Sequence, residues 1–167
     1  MPAPTEENYV DTNVVIECHR IGCWNALAGG SRLTTVHKVI EECGAGAGRR
    51  KGYVTVDIEN VKNRVQCCAV LNQDLAGLRL QLAGRVSLDP GEEHLLAKAV
   101  TERGSWKICS PDKALIRASW ILGYLERVIS LESLLQKIGF SPRVTLQNQY
   151  TERWLSQIRT DLLLEGI

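Results

Sequence analysis

The chain has 167 residues, of which 44% are hydrophobic and 23% charged, with a formal net charge of +1. That length favours a single domain with room for a substantial core, and the balance excludes a disordered or membrane-embedded polypeptide. Near-neutrality leaves no global electrostatic argument for nucleic acid, so any basic footprint has to be local.

The opening MPAPTEENY is polar and acidic, which reads as carrying no export signal. No apolar run approaches the ~18 residues of a membrane helix. Six cysteines (Cys18, Cys23, Cys43, Cys67, Cys68 and Cys109) contain no Cys-x-x-Cys pair. They resemble neither a zinc site nor a secreted disulfide frame, and the expectation is reduced, mostly buried thiols in a cytoplasmic protein, with a reactive thiol left open.

In chain order, Asn8 to Val10 fits a short buried strand, and Val14 to Leu27 places Val15, Ile16, Ile21, Trp24 and Leu27 at helical spacing. Gly29-Gly30 ends that helix. Arg32 to Val36 has strand composition and passes into a helix holding Val39, Ile40 and Cys43, which stops at the run Gly44 to Gly48. The glycines and the following Arg49-Arg50-Lys51-Gly52 read as a flexible basic loop. Tyr53 to Asp57 alternates like a strand, Val61 to Leu71 and Leu75 to Leu82 read as helices, and Arg85 to Leu88 as a short buried segment. Asp89 suits an N-cap and Pro90 the first position of a helix reaching about Arg103. Trp106 to Cys109 is a strand, Ala114 to Leu122 a helix, Arg127 to Ser130 a strand and Leu131 to Lys137 a helix. Tyr150, Trp154, Ile158 and Leu162 form one stripe of a final amphipathic helix that either caps its own domain or joins a partner, exposure of Trp154 and Leu162 favouring the partner.

Strands and helices alternate, which argues an α/β fold with a mainly parallel sheet, because parallel strands need crossovers. Ligands of such sheets sit outside the carboxyl ends of the strands. Asp11 and Asp112 each follow a predicted strand, Glu41 and Glu42 lie on the helix after the second strand, and Asp89, Glu92 and Glu93 open another helix. Each has a bland reading: N-cap for Asp11, Asp89 and Asp112, solvated or dipole-facing positions for the glutamates. If they converge, two like charges ~4 Å apart repel by about 4 kcal/mol at an effective dielectric near 20. The cluster must then bind protons or cations. Oxygen ligands without His or Cys point to Mg²⁺ or Mn²⁺, and a few carboxylates with open water positions suit phosphodiester hydrolysis. His19, His37 and His94 are scattered, and Gly-x-Ser-x-Gly, phosphate-loop and dinucleotide-loop motifs are absent.

Four stretches together resemble the PIN-domain ribonucleases, including toxins of the VapC type. Tyr9-Val10-Asp11-Thr12-Asn13-Val14-Val15-Ile16 is similar to the opening motif, and Thr34 to Glu41 to the second element with Glu41 at the acidic position. Leu88 to Ala99 resembles the Gly-Glu-Ala-Glu variant of the third element with Glu92 as its acid, and Ile108 to Leu115 the last, with Asp112. The resemblance covers about residues 8 to 140 and implies a three-layer α/β/α domain, taken over residues 1–140; residues 141–167 fall outside it and are expected to form a C-terminal helical extension. It implies Asp11, Glu41, Glu92 and Asp112 as catalytic, metal-holding residues for Mg or Mn, with Thr12 and Asn13 hydrogen-bonding the carboxylates. Arg49, Arg50 and Lys51 would contact RNA phosphates. An antitoxin protein and a homodimer are the implied partners besides RNA, with no membrane. Two departures stand out: Pro111 and Lys113 flank Asp112 where many members carry a second acid, and Cys43 to Val86 lacks landmarks. Glu42 and Glu93 remain alternatives to Glu41 and Glu92. A non-catalytic RNA-binding or assembly module on the same fold is the competing reading. A phosphotransfer protein is disfavoured, since position 13 is Asn where a haloacid-type phosphatase needs Asp.

Overall fold

A computed structural model describes residues 6–45 and 54–166. Strands β1 (Glu7–Val10), β2 (Leu33–Val36), β3 (Gln66–Cys68), β4 (Trp106–Cys109) and β5 (Val128–Ile129) make one all-parallel sheet in the order β3-β2-β1-β4-β5. Helices flank it in a three-layer α/β/α arrangement, and the parallel sheet is the one the alternation predicts. Sheets covered on both faces need strands without a polar side. All four residues of β2 are buried, and its two threonines are satisfied within the sheet. Thr34 Oγ1 donates to Glu7 Oε2 at 2.6 Å and Thr35 Oγ1 to the Val10 carbonyl at 2.9 Å.

From β1 the chain steps outward to β2 and β3, then crosses back to place β4 on the other side of β1. The order therefore reverses between β1 and β4, where Val10 lies opposite Cys109. Such a reversal opens a crevice beyond the carboxyl ends of the two strands.

Helix α1 (Thr12–Ile21) leaves β1 and α2 (Trp24–Gly30) follows it. The expected single helix over Val14 to Leu27 is thus two, divided at Gly22, whose φ of 75° gives the left-handed cap that a side chain disfavours. Helix α3 (His37–Ala45) follows β2. Arg49, Arg50, Lys51 and Tyr53 lie outside the described residues. Val54 to Asp57 forms no strand, although Val56 is buried between exposed neighbours. Asp57 instead caps α4 (Ile58–Arg64), its Oδ1 accepting the Asn60 N–H at 3.1 Å. The helix expected over Val61 to Leu71 stops with α4, and Gln66 to Cys68 pairs with Thr34 to Val36 as the edge strand β3. An open β2 edge offers that backbone partners which a continued helix would not have used.

Helix α5 (Asn72–Leu82) and α6 (Pro90–Ala99) precede β4. Arg85 to Leu88, expected to be buried, is a link with Arg85 and Ser87 exposed. Helix α7 (Lys113–Ile121) leads to β5, and α8 (Leu131–Lys137) and α9 (Glu152–Glu165) complete the chain. Leu162, whose exposure would have favoured a partner, is buried with Leu155 and Tyr150 in the same core as the sheet, and α9 packs on α7 and α8. No helix among the described residues is long and apolar enough to cross a membrane.

Candidate acidic site

Asp11 directly follows β1 and is the N-cap of α1, its Oδ1 accepting the Val14 N–H at 2.9 Å. That capping bond holds the carboxylate at the strand exit, and its second oxygen faces the crevice. There Oδ2 accepts the Ser110 hydroxyl at 2.5 Å, with Asp11 only 1% exposed. Ser110 is the first residue beyond β4, and its oxygen also accepts the Asp112 N–H at 3.1 Å. Asp112 in turn caps α7 through Oδ1 and the Leu115 N–H at 3.0 Å. One serine thus ties together the two strand exits on either side of the order reversal.

The second glutamate of α3, not the first, reaches this crevice. Glu42 Oε2 accepts the Thr12 hydroxyl at 2.8 Å and Oε1 accepts the Gly91 N–H at 2.9 Å. A Cβ on Gly91 would stand 2.3 Å from Glu42 Oε2, so the glycine leaves the space that the carboxylate fills. Glu41, the expected ligand, points away: its side chain is 66% exposed and pairs with Lys38 at 3.2 Å. Adjacent helical residues lie about 100° apart around the axis, so only one of the two can face the site.

Glu92 is the acidic member from α6. It is buried, and its Oε2 accepts the Asp89 N–H at 3.2 Å across the first turn, while Asp89 serves as N-cap. Asp112 lies near enough for its charge to bear on the Glu92 carboxyl. Glu93 faces outward to Arg79 at 2.7 Å. Thr12 holds Glu42 as expected. Asn13 does not hold a carboxylate: among the described residues its side chain makes no hydrogen bond, and only its backbone carbonyl is used, accepting the Tyr150 hydroxyl at 3.1 Å.

Asp11, Glu42, Glu92 and Asp112 form no ion pair with Lys, Arg or His among the described residues. Burial pushes the Asp11 carboxyl up to about 7, against the Ser110 hydroxyl and the Val14 N–H, which pull it down; the charges of Asp112 and Glu42 add to the rise. Burial also pushes Glu92 up to about 8, reinforced first by the charge of Asp112 and then by Asp11. Carboxyls that hold protons near neutrality for want of a counter-charge exchange them readily for a cation. The donor set is all hard oxygen, which suits Mg²⁺ or Mn²⁺. Among the described residues no three His, Cys, Asp or Glu side chains are already gathered as metal ligands. The oxygens are instead turned toward Ser110, Thr12 and backbone N–H groups.

Ser110 is the site residue that the acid-centred reading of the sequence passes over. Its signal is close to that of Thr12: a small hydroxyl residue within two positions of an aspartate at a strand exit. Compared with protein-family models and with curated proteins, the chain matches neither.

Proposed function

We propose that this protein is a Mg²⁺- or Mn²⁺-dependent endoribonuclease of the PIN type. The observation that carries the reading is the convergence of Asp11, Glu42, Glu92 and Asp112 on the crevice between β1 and β4, without a basic partner among the described residues. These four would hold the cation, Glu42 replacing Glu41 in the expected set. A bound divalent cation supplies a water of lowered pKa and a counter-charge for the phosphate. The chain's own part is to hold the carboxylates in place. Ser110 aims Asp11, Thr12 and the Gly91 N–H aim Glu42, and the Asp89 N–H aims Glu92. Such outer hydrogen bonds orient ligands. The proton that burial and the Asp112 charge favour on Glu92 has to leave before Glu92 can act as a ligand. Arg49, Arg50 and Lys51 as phosphate contacts, an antitoxin partner, a homodimer and a cytoplasmic location belong to the proposal through the resemblance alone.

The second reading is a non-catalytic RNA-binding or assembly module. Its support is that both carboxylate oxygens of Asp11 and of Glu42 already accept hydroxyl or N–H donors, with no ready-made three-ligand group among the described residues. One experiment separates the two. A pool of structured and single-stranded RNA is incubated with Mg²⁺, Mn²⁺ or EDTA and wild type, Asp11→Asn or Glu92→Gln, with Mn²⁺ binding titrated in parallel. The nuclease reading expects cation-dependent cleavage that both variants lose, together with weakened Mn²⁺ binding. Equal residual cleavage in all three proteins, with no Mn²⁺ bound at millimolar concentration, would overturn it in favour of the binding module.

A further inference from the structure

We propose that Cys67 and His37 form a thiol-modification site, a base-assisted cysteine that takes up a small anionic disulfide at the edge of the sheet. The pair comes from two adjacent strands. Cys67 lies in β3, in register with Thr35 of β2, and His37 opens α3 directly after β2. The Cys67 sulfur stands 3.2 Å from His37 Nδ1. With the ring proton on Nε2, Nδ1 is the acceptor of the thiol proton.

Three observations separate Cys67 from the other thiols. Cys18, Cys23, Cys43 and Cys109 are buried, whereas Cys67 and Cys68 are partly exposed. Successive strand residues point to opposite faces, and only Cys67 has an imidazole against its sulfur among the described residues. Strand β3 is the end of the sheet, so one side of Cys67 faces no further strand. Lys62 on α4 acts on the same thiol: burial raises the Cys67 pKa, and the Lys62 charge works against that rise. The lysine is half-exposed and its pairing with Glu59 is loose, at 3.7 Å. It favours an incoming anion.

The sulfur is therefore not a resting thiolate, and the base has to act during attack. His37 Nδ1 takes the thiol proton as the Cys67 sulfur attacks one sulfur of the disulfide. A new S–S bond forms to that sulfur, the original S–S bond breaks, and the leaving thiolate takes the proton from the imidazolium. Cys67 is oxidised to a mixed disulfide and the departing half is reduced to a thiol. This inference does not depend on the nuclease reading.

The test follows uptake of oxidised glutathione, an anionic disulfide, and of neutral hydroxyethyl disulfide, by intact mass and peptide mapping. The proteins are wild type, Cys67→Ser, Cys68→Ser, His37→Gln and Lys62→Gln, each also measured unfolded in guanidinium. The expected result is a first adduct on Cys67 in wild type and Cys68→Ser and none at that rate in Cys67→Ser. His37→Gln should slow native uptake by about tenfold or more, while reacting like wild type when unfolded. Lys62→Gln should slow uptake of the anionic disulfide several-fold and leave the neutral one unchanged. A fast adduct that persists in Cys67→Ser, or native rates unchanged in both His37→Gln and Lys62→Gln, would overturn the proposal.

Discussion

A single hydroxyl decides how Asp11 meets the crevice. Ser110 donates to Asp11 Oδ2 and holds its pKa down against burial. Ser110→Ala removes a hydrogen bond to a charged group, worth about 1.5–3 kcal/mol, and leaves a buried oxygen without a donor. The Asp11 pKa should then climb further above 7, read by carboxyl carbon NMR, and Ser110→Thr should restore it. Gly91 acts by absence. Gly91→Ala puts a methyl where Glu42 Oε2 sits, 2.3 Å away, so the carboxylate must leave, and Mn²⁺ affinity should fall about 10-fold or more, as for lost outer partners. Glu42→Gln should do the same, and Glu41→Gln should change nothing beyond a surface pair with Lys38. The sequence marks an acid at this part of α3 but cannot choose between neighbours, because that choice is made by which helix face meets α6.

At the scale of elements, the C-terminal helix shows how burial outranks order along the chain. Leu155, 2% exposed, sits in the same core as the sheet residues. Glu152 anchors the start of α9 by accepting the Ser130 hydroxyl at 2.8 Å and the Ser133 hydroxyl at 3.0 Å, and by pairing with Arg159 at 3.1 Å. Leu155→Ala should destabilise the whole domain by about 2–5 kcal/mol, seen as one cooperative transition at lower temperature. A separate early transition confined to residues 141–166 would show instead that the helix is an appendage. Strand β3 is the opposite case. Its three residues carry no alternation long enough to announce a strand, and the helical reading of Val61 to Leu71 follows from local spacing alone. Only the open edge of β2 makes Gln66 to Cys68 extended.

Over the whole molecule, the buried acids link stability to pH and to cations. Asp11 has its folded pKa raised from 3.8 to about 7, and Glu92 from 4.5 to about 8. Between those limits the folded state binds more protons than the unfolded one. Stability is then fully present below pH 4 as far as these groups are concerned, and falls as pH rises toward 8, by about 1.4 kcal/mol per pH unit for each displaced group. In EDTA the melting temperature should decline from pH 5 to 8; millimolar Mn²⁺ should recover the loss, and Asp11→Asn should flatten the slope. A cation-free profile that rises over this range would show that the acids are not raised together. The sequence by itself determined the α/β class, the strand exits carrying Asp11 and Asp112, and the caps that hold both aspartates, because periodicity and capping act within a few residues. Tertiary structure decided the strand order, the reversal between β1 and β4, the choice of Glu42, the tie through Ser110 and the pairing of Cys67 with His37. Those depend on contacts between residues up to 99 positions apart, where burial and steric fit, not local spacing, select the partner.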